Sequence, residues 1–419
     1  MQVKEVSMTY VIISMNSWIK KVADGAIMLI LLGFLLWILF PVGVSAAEPK
    51  VTGWLPWFAW ESGIESASEN IRKLDTVYLF TYEIDREGNI VNKVDFEDDE
   101  WEDFFKLAKK RDVELIPTFA WFDGAAIHEV LSNKRSRNQL IEDIDNIVDE
   151  YNFDGANIDF EQKQSRTIDY FSRFLRDLED ELGSDDLTCA IEARMPPEHR
   201  WRSHQIPAVI EYANDYTAIN RYCDRIEIMA YDQQRADILI NDKRKGVPYM
   251  PVADNEWVET VLDLALEDFD EDKVYLGVPT YGRAWDVTVA SEWYKDYTGV
   301  ASLNTPRILE LSEKYNAPIG RTAGGEAVIS YFPEDSVWKI FNALPTPAGT
   351  PKGFEAAAKA LLVATYADIE IPVRIVIWSD AKAIEDKFDI AEDYDLEGIA
   401  MFKIDGEEDQ AIWDLFDRR

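Results

Sequence analysis

Cysteine and histidine are scarce in this sequence, and their scarcity narrows the chemistry open to it. The 419 residues include two cysteines and three histidines. Two cysteines are too few for a disulfide framework or a zinc site, and no histidine lies near a serine or cysteine in a nucleophile motif. We therefore expect no metal ion, no cofactor and no histidine-centred catalysis. Cys189 and Cys223 fall at or near predicted strands, where we expect two unpaired core thiols, with one disulfide as the alternative.

Positive charge is scarce as well. Lys and Arg total 43 against 79 Asp and Glu, which gives a formal net charge of −36. Because so acidic a chain repels a phosphate backbone, nucleic acid is excluded as a partner. We interpret the acidity as a well-solvated surface; adaptation to salt and repulsion of polyanionic polymers are the alternatives.

Charge is absent altogether from residues 26–46. Residues 27–40 are apolar throughout and follow Lys20 and Lys21, a pattern typical of an export signal. Residues 44–46 (Val-Ser-Ala) fit a cleavage site, but the apolar run is long enough to span a bilayer if it stays uncleaved. We expect residues 1–47 to be a signal peptide or an N-terminal membrane anchor. The remaining chain is then extracytoplasmic, either secreted or anchored through residues 26–46.

Beyond residue 48, short β-branched runs alternate with amphipathic helical stretches. The segment 136–151, for example, places Leu140, Ile144 and Val148 on one helical face and acidic residues on the other. Eight such β/α units predict an α/β protein, a (β/α)8 TIM barrel that forms one domain over residues 48–419. The predicted strands are 51–57, 76–82, 113–121, 155–161, 187–193, 225–231, 273–280 and 398–402.

The gap between the seventh and eighth predicted strands is too long for a single helix. Residues 284–374 are therefore expected to hold a small α+β insertion beside the barrel mouth. Within this region, 327–332 and 373–378 are predicted strands, and 354–366 is a predicted helix. We expect the whole chain to be a monomer.

The chemistry centres on residues 153–161, FDGANIDFE. Side chains alternate along a strand, so Asn157, Asp159 and Glu161 share one face. In a barrel strand that face points to the axis, near the C-terminal mouth where active sites of this architecture lie. The alternative is a structural network of buried carboxylates. Burying three polar side chains on one strand face lowers stability, however, unless they serve a function.

At these residues the sequence resembles family 18 of the glycoside hydrolases, whose signature is Asp-Gly-x-Asp-x-Asp-x-Glu on the fourth barrel strand. Asp154, Gly155, Asp159 and Glu161 match the signature, and Asn157 departs from it. Further matching motifs follow in the family's order, at 229–232 (MAYD), 277–283 (GVPTYGR) and 398–402 (GIAMF).

Two departures from the family's motifs change the residues expected to form the floor of the substrate-binding groove. The family's Ser-x-Gly-Gly at the end of strand three is replaced by residues 118–121 (TFAW), and its tryptophan near the end of strand eight is here Phe402 or Lys403. Together with residues 53–57 (GWLPW), the pattern resembles bacterial wall-lytic and spore-type members more than secreted chitin-degrading ones.

The resemblance implies hydrolysis of an N-acetylated polysaccharide or oligosaccharide by a retaining, substrate-assisted mechanism. Glu161 would be the proton donor, Asp159 would hold the acetamido N–H, and Tyr231 would donate to the acetamido oxygen. Chitin, peptidoglycan glycan strands and an N-glycan core all carry the required group. The alternatives are a catalytically inactive carbohydrate-binding protein of the same fold and a membrane-anchored structural protein.

Further side chains at or just past strand ends are expected to bind the sugars, because sugar rings present C–H faces to aromatic rings. For the polar members of this set, a loop salt bridge is the alternative. The expected substrate-binding residues are Asn157, Trp57, Trp121, Asp232, Tyr281, Arg283, Trp285 and Phe402.

Overall fold

A computed structural model describes residues 48–417, which form a closed barrel of eight parallel strands. The first strand pairs with both the second and the eighth, and this double pairing closes the ring. The predicted (β/α)8 barrel is confirmed. The predicted signal peptide or anchor, residues 1–47, lies outside the described residues. The barrel strands, first to eighth, are Lys50–Pro56, Thr76–Ile84, Glu114–Trp121, Gly155–Phe160, Asp186–Glu192, Arg225–Met229, Val274–Pro279 and Gly398–Phe402.

α-Helices surround the barrel, and all of them except the short Pro197–Arg200 contain buried residues. Lys134–Tyr151 begins after Asn133, whose side chain accepts a hydrogen bond from the backbone N–H of Arg135, and ends at Asn152 in a left-handed conformation. Within residues 48–417, no helix is both long and apolar enough to cross a membrane. The other barrel helices are Trp60–Glu69, Asp99–Lys110, Gly124–Ser132, Ile168–Leu182, Pro197–Arg200, Tyr216–Tyr222, Ile238–Lys243, Asn255–Ala265, Ala381–Asp393 and Ala411–Leu415.

The alternation along the fourth strand separates two cores. Ala156, Ile158 and Phe160 pack outward against the helices in the main hydrophobic core. The opposite face points into the barrel, where a smaller aromatic cluster fills the interior under the mouth. This inner cluster contains Trp54, Tyr78, Phe80, Ile116, Ala120, Ala190, Tyr275 and Ala400.

Between the seventh and eighth barrel strands, the chain forms a five-stranded antiparallel sheet with helices Thr305–Lys314 and Glu355–Ala367. Two of its strands, Ala327–Tyr331 and Ile371–Trp378, agree to within two residues with the segments 327–332 and 373–378 expected to be strands. Trp293–Leu303 was not expected, because most of its side chains are exposed and it carries no hydrophobic period. The sheet order is Trp293–Leu303, Gly282–Ala290, Ile371–Trp378, Ala327–Tyr331 and Gly320–Arg321.

Cys189 and Cys223 form a disulfide, with their Cα atoms 6.1 Å apart. The expectation of two unpaired thiols is therefore wrong, and the alternative holds. The backbone N–H of Asp224 donates to the carbonyl of Leu187, which brings the end of helix Tyr216–Tyr222 beside the fifth strand. Sequence reasoning left this pairing as the alternative because the cysteines are 34 residues apart and meet only through the barrel.

Candidate active site

A cavity of about 730 Å³ lies at the C-terminal ends of the barrel strands. This is the end at which barrels of this architecture place their active sites. The lining combines carboxylates, aromatic rings and two cations. It comprises Trp54, Phe58, Phe80, Phe122, Asp159, Glu161, Glu192, Ala193, Met195, Met229, Tyr231, Asp232, Gln233, Ala236, Trp257, Tyr281, Arg283, Ser302, Asn304, Phe402 and Lys403.

Asp159 and Glu161 both open into this cavity from the fourth strand and its end. The backbone N–H of Glu161 donates to the carbonyl of Trp121 at 2.9 Å, which extends the pairing of strands three and four to the mouth. Asp159 is only 5% exposed, and among the described residues its Oδ1 receives no hydrogen bond. The geometry thus leaves a buried acceptor oxygen beside a second carboxyl group.

Burial raises the pKa of both carboxyl groups. For Asp159 the next cause is the charge of Glu161, and for Glu161 it is the charge of Glu192. Lys163 opposes both shifts: its side chain is buried, and its Nζ lies 3.8 Å from Oε2 of Glu192. A carboxyl group with a raised pKa holds its proton closer to neutral pH, as a general acid must.

Tyr231 and Tyr281 form an aromatic wall with Phe402. The ring of Tyr231 is stacked on Phe402 with centroids 5.8 Å apart, and Tyr281 meets Phe402 edge-on at 6.3 Å. Burial raises the pKa of both tyrosines well above its ordinary value, so their hydroxyl groups remain neutral donors. Phe402, rather than Lys403, takes the aromatic place at the end of strand eight.

Asp232, which follows strand six, and Arg283, in the insertion strand Gly282–Ala290, form a bidentate ion pair. Nε and Nη2 of Arg283 lie 2.9 and 2.6 Å from the two carboxylate oxygens of Asp232.

Asp232 has a positive φ of 55°, and Gln162, which follows Glu161, has 57°. Left-handed backbone is uncommon for residues other than glycine, and here it occurs directly after Tyr231 and directly after Glu161.

Four residues expected to bind substrate do not line the cavity. Asn157 is fully buried below it, and Trp121 is 2% exposed and packs edge-on against Phe160 in the outer core. Trp57 lies beside the inner aromatic cluster under the Nζ of Lys93, and Trp285 packs against the core of the insertion.

Sequence reasoning missed several lining residues. Phe58 and Phe122 are the large exposed apolar side chains of the cavity, with 52% and 40% exposure. Each directly follows a tryptophan, Trp57 or Trp121, that was predicted to bind substrate. Glu192, Gln233 and Trp257 also line the cavity, but they come from segments without a recognisable motif. Within residues 48–417, no group of three or more His, Cys, Asp or Glu side chains is arranged to hold a metal ion.

A parallel barrel with a carboxyl pair and aromatic walls at its C-terminal mouth defines the class of barrel glycosidases. The chain belongs to glycosyl hydrolases family 18, whose family model matches residues 57–407. It is 29% identical over 208 residues to the "Putative sporulation-specific glycosylase YdhD" of Bacillus subtilis, and the match covers 49% of this chain and 44% of that protein. The match thus spans less than half the length of this curated relative.

Solved structures share the fold. The spore cortex-lytic enzyme SleL of Bacillus cereus superposes with a TM-score of 0.62 at 18% identity, covering 88% of this chain and 73% of that chain. A chitinase from Chromobacterium violaceum superposes with a TM-score of 0.63 at 19% identity, covering 88% of this chain and 98% of that one.

Proposed function

We propose that this chain hydrolyses β-glycosidic bonds next to N-acetylglucosamine-type residues, in peptidoglycan or chitin-like glycans. One observation carries the proposal: Glu161, Asp159 and Tyr231 line the same cavity, and burial raises the pKa of Glu161. Membership of family 18 supports it. The similarity to a chitinase and to a spore cortex-lytic enzyme agrees with the substrate class.

The proposed reaction is retaining and substrate-assisted. Glu161 gives its proton to the glycosidic oxygen as the bond from that oxygen to the anomeric carbon breaks. The acetamido oxygen of the substrate bonds to that carbon in its place. Glu161, now ionised, then takes a proton from water, whose oxygen attacks the same carbon and releases the acetamido oxygen. Two inversions at one carbon retain its configuration.

Asp159 and Tyr231 orient the acetamido group. The Oδ1 of Asp159 is a buried acceptor in reach of the cavity, suited to the acetamido N–H as positive charge develops there. The neutral hydroxyl of Tyr231 donates to the acetamido oxygen and aligns it for attack. Both contacts strengthen as charge develops, so both lower the activation barrier rather than only binding substrate.

Hydrolysis is tested with chitin oligomers and purified peptidoglycan side by side, using mass spectrometry of the products. We expect Glu161→Gln to lose activity by about 10³-fold, because the amide keeps the shape but supplies no proton. Circular dichroism should show an unchanged fold. Near wild-type turnover by the variant would remove Glu161 from this role, and no turnover by the wild type on either glycan would favour the inactive carbohydrate-binding alternative.

We propose export as well. The disulfide between Cys189 and Cys223 supports an oxidising compartment, where such bonds persist. N-terminal sequencing of the protein from its natural host should give a mature end near Ala47 or Glu48. A membrane-bound species that still contains residues 27–40 would replace the secreted form with the anchored one.

A further inference from the structure

A layer of polar side chains lies inside the barrel directly below the cavity, centred on Asn157. Its Oδ1 accepts hydrogen bonds from Oγ1 of Thr118 at 2.9 Å and from Nε1 of Trp54 at 3.3 Å. Its Nδ2 donates to Oγ1 of Thr188 at 2.7 Å and to Oε2 of Glu227 at 3.1 Å. Two donors face the amide oxygen and two acceptors face the amide nitrogen, so the amide has one orientation.

Glu227 is the only acid of this layer in the described chain, and it comes from strand six. It is fully buried, and its Oε1 accepts a hydrogen bond from the Tyr78 hydroxyl at 2.5 Å. Ile226 and Ile228 on either side pack outward in the main core, so strand alternation points Glu227 to the barrel axis. Within residues 48–417 no cation lies close enough to Glu227 for a direct ion pair, and burying a carboxyl group without one is costly.

The layer adjoins the site through two side chains. Trp54 both donates to Asn157 and lines the cavity. Asp159 lies two residues beyond Asn157 on the same strand face, and the charge of Glu227 is among the causes that raise the pKa of Asp159. The ionisation of Glu227 therefore affects a carboxyl group at the barrel mouth.

We propose that Glu227 is a positioning residue for this active site, a role that rests on the proposed function. It fixes the Asn157 amide and supplies, from strand six, the negative charge below Asp159 that position 157 of strand four does not carry. Its effect reaches the reaction through Asp159, since Glu227 itself lies outside the cavity lining.

Several groups from the surrounding strands act on Glu227. Burial raises its pKa to about 7, while the Tyr78 hydrogen bond and the charge of Arg225 work in the opposite direction. Arg225 is engaged at the other end of the barrel by Glu114 and Asp186. Tyr275 of strand seven and Asp159 of strand four also interact with Glu227 electrostatically.

The arrangement of donors and acceptors predicts that the carboxyl group at position 227 and the amide at position 157 can be exchanged. In Glu227→Gln, Tyr78 still donates to the amide oxygen, which turns the new NH2 group toward the NH2 group of Asn157. In Asn157→Asp, two carboxyl groups face each other across about 3 Å, where both cannot ionise. In the double variant, the carboxylate at position 157 accepts from the amide at position 227 and from its three other neighbours. Every partner is then satisfied, and the acid has moved to strand four.

The pH dependence of kcat distinguishes a positioning role of Glu227 from a purely structural one. Asp159 must be ionised to stabilise the acetamido N–H, so the fall of kcat on the acidic side of the profile, its acidic limb, follows the pKa of Asp159. Where Glu227 is ionised, near and above its pKa of about 7, its charge raises the pKa of Asp159, so the limb of Glu227→Gln should move to lower pH in that range. Tyr78→Phe removes a hydrogen bond that lowers the pKa of Glu227, which then carries less charge, so its limb should move the same way by a smaller amount.

The matched control places Tyr78→Phe in the Glu227→Gln background. The same Tyr78 hydrogen bond is lost there, but no charge remains at position 227 to change. We therefore expect Tyr78→Phe to move the limb in the wild-type background and to leave it unmoved in the Glu227→Gln background. If Tyr78→Phe acted only by loosening the packing of the polar layer, it would move the limb in both the wild-type and the Glu227→Gln background.

The experiment measures kcat and KM from pH 4 to 9 for the wild type, the single variants at positions 78, 157 and 227, and the two double variants. We expect the kcat of Asn157→Asp/Glu227→Gln to be about tenfold above that of Asn157→Asp alone. Unmoved limbs, a Tyr78→Phe shift that persists in the Glu227→Gln background, or an exchanged pair no better than its worse parent would overturn the proposal. Failure of the proposed function would appear separately, as absent turnover by the wild type.

Discussion

At the residue scale, Trp121 and Phe122 are neighbours whose rings lie on opposite sides of strand three. Thr118 and Ala120 face the barrel axis, so Trp121 faces the helices and Phe122 returns to the mouth. Only one of these two adjacent rings is therefore placed to meet a sugar, and the alternation of the strand decides which.

Adjacent substitutions test this assignment. Phe122→Ala should raise KM roughly three- to tenfold, because a sugar face loses about 1 kcal/mol of aromatic contact, with little change in thermal stability. Trp121→Ala should instead lower the free energy of unfolding by about 3–5 kcal/mol, the cost of a cavity in the core. Steady-state kinetics and urea unfolding of both variants provide the measurement; a large stability loss in Phe122→Ala would contradict the exposed placement.

Strand alternation predicts the face of a side chain but not its depth. It places Asn157, Asp159 and Glu161 on one face, and the structure brings the last two into the cavity. Asn157 lies one layer deeper, where its four hydrogen-bond partners come from four other strands that sequence spacing cannot bring together. The hydrogen bonds of Asn157 therefore run across the barrel to other strands rather than along strand four.

At the element scale, the eight barrel strands were predictable because each is a short buried run. Predicted and observed bounds agree within two residues, for example 187–193 against Asp186–Glu192. For the fifth strand, the sequence predicts the strand itself but leaves the disulfide between Cys189 and Cys223 only as an alternative. The insertion is harder because its strand Trp293–Leu303 is held by pairing with Gly282–Ala290 rather than by its own pattern.

Strands six and seven approach so closely at Gly277 that a side chain has no room. A Cβ there would lie 2.5 Å from the carbonyl oxygen of Ile228 and 3.1 Å from Cε1 of Tyr231. Gly277→Ala should therefore push strand six and Tyr231 outward, lowering kcat about tenfold and stability by about 1–3 kcal/mol. Gly246→Ala, where a Cβ meets nothing within 4 Å, is the control. Equal kinetics for the two variants would show that Tyr231 tolerates the shift.

At the scale of the whole molecule, buried polar contacts connect the barrel mouth to the insertion. The side chain of Gln233 lines the cavity and accepts from the backbone N–H of Asp254 at 2.9 Å. The neighbouring N–H groups of Val252 and Ala253 donate to Oε1 of Glu326, which precedes strand Ala327–Tyr331. One chain of hydrogen bonds thus runs from the substrate cavity through residues 252–254 into the insertion.

Glu326 makes this connection sensitive to pH. It is fully buried, and burial raises its pKa to about 7, although the charge of Lys387 works against the shift. The folded protein therefore keeps a proton that the unfolded chain releases above its ordinary pKa of 4.5. The stability associated with this proton is complete below pH 4.5 and is lost as the pH rises to about 7, by about 3 kcal/mol.

Glu326→Gln removes the titration but keeps an oxygen for the two backbone donors. We expect the stability difference between wild type and variant to shrink or reverse by about 3 kcal/mol from about pH 4.5 to about pH 7.5, measured by urea unfolding at several pH values. Glu334→Gln, which removes a carboxylate on the exposed surface of the insertion, controls for the change in net charge. Parallel stability curves for wild type and Glu326→Gln would mean that Glu326 is ionised throughout this range, and that its contacts with residues 252 and 253 hold a carboxylate rather than a protonated acid.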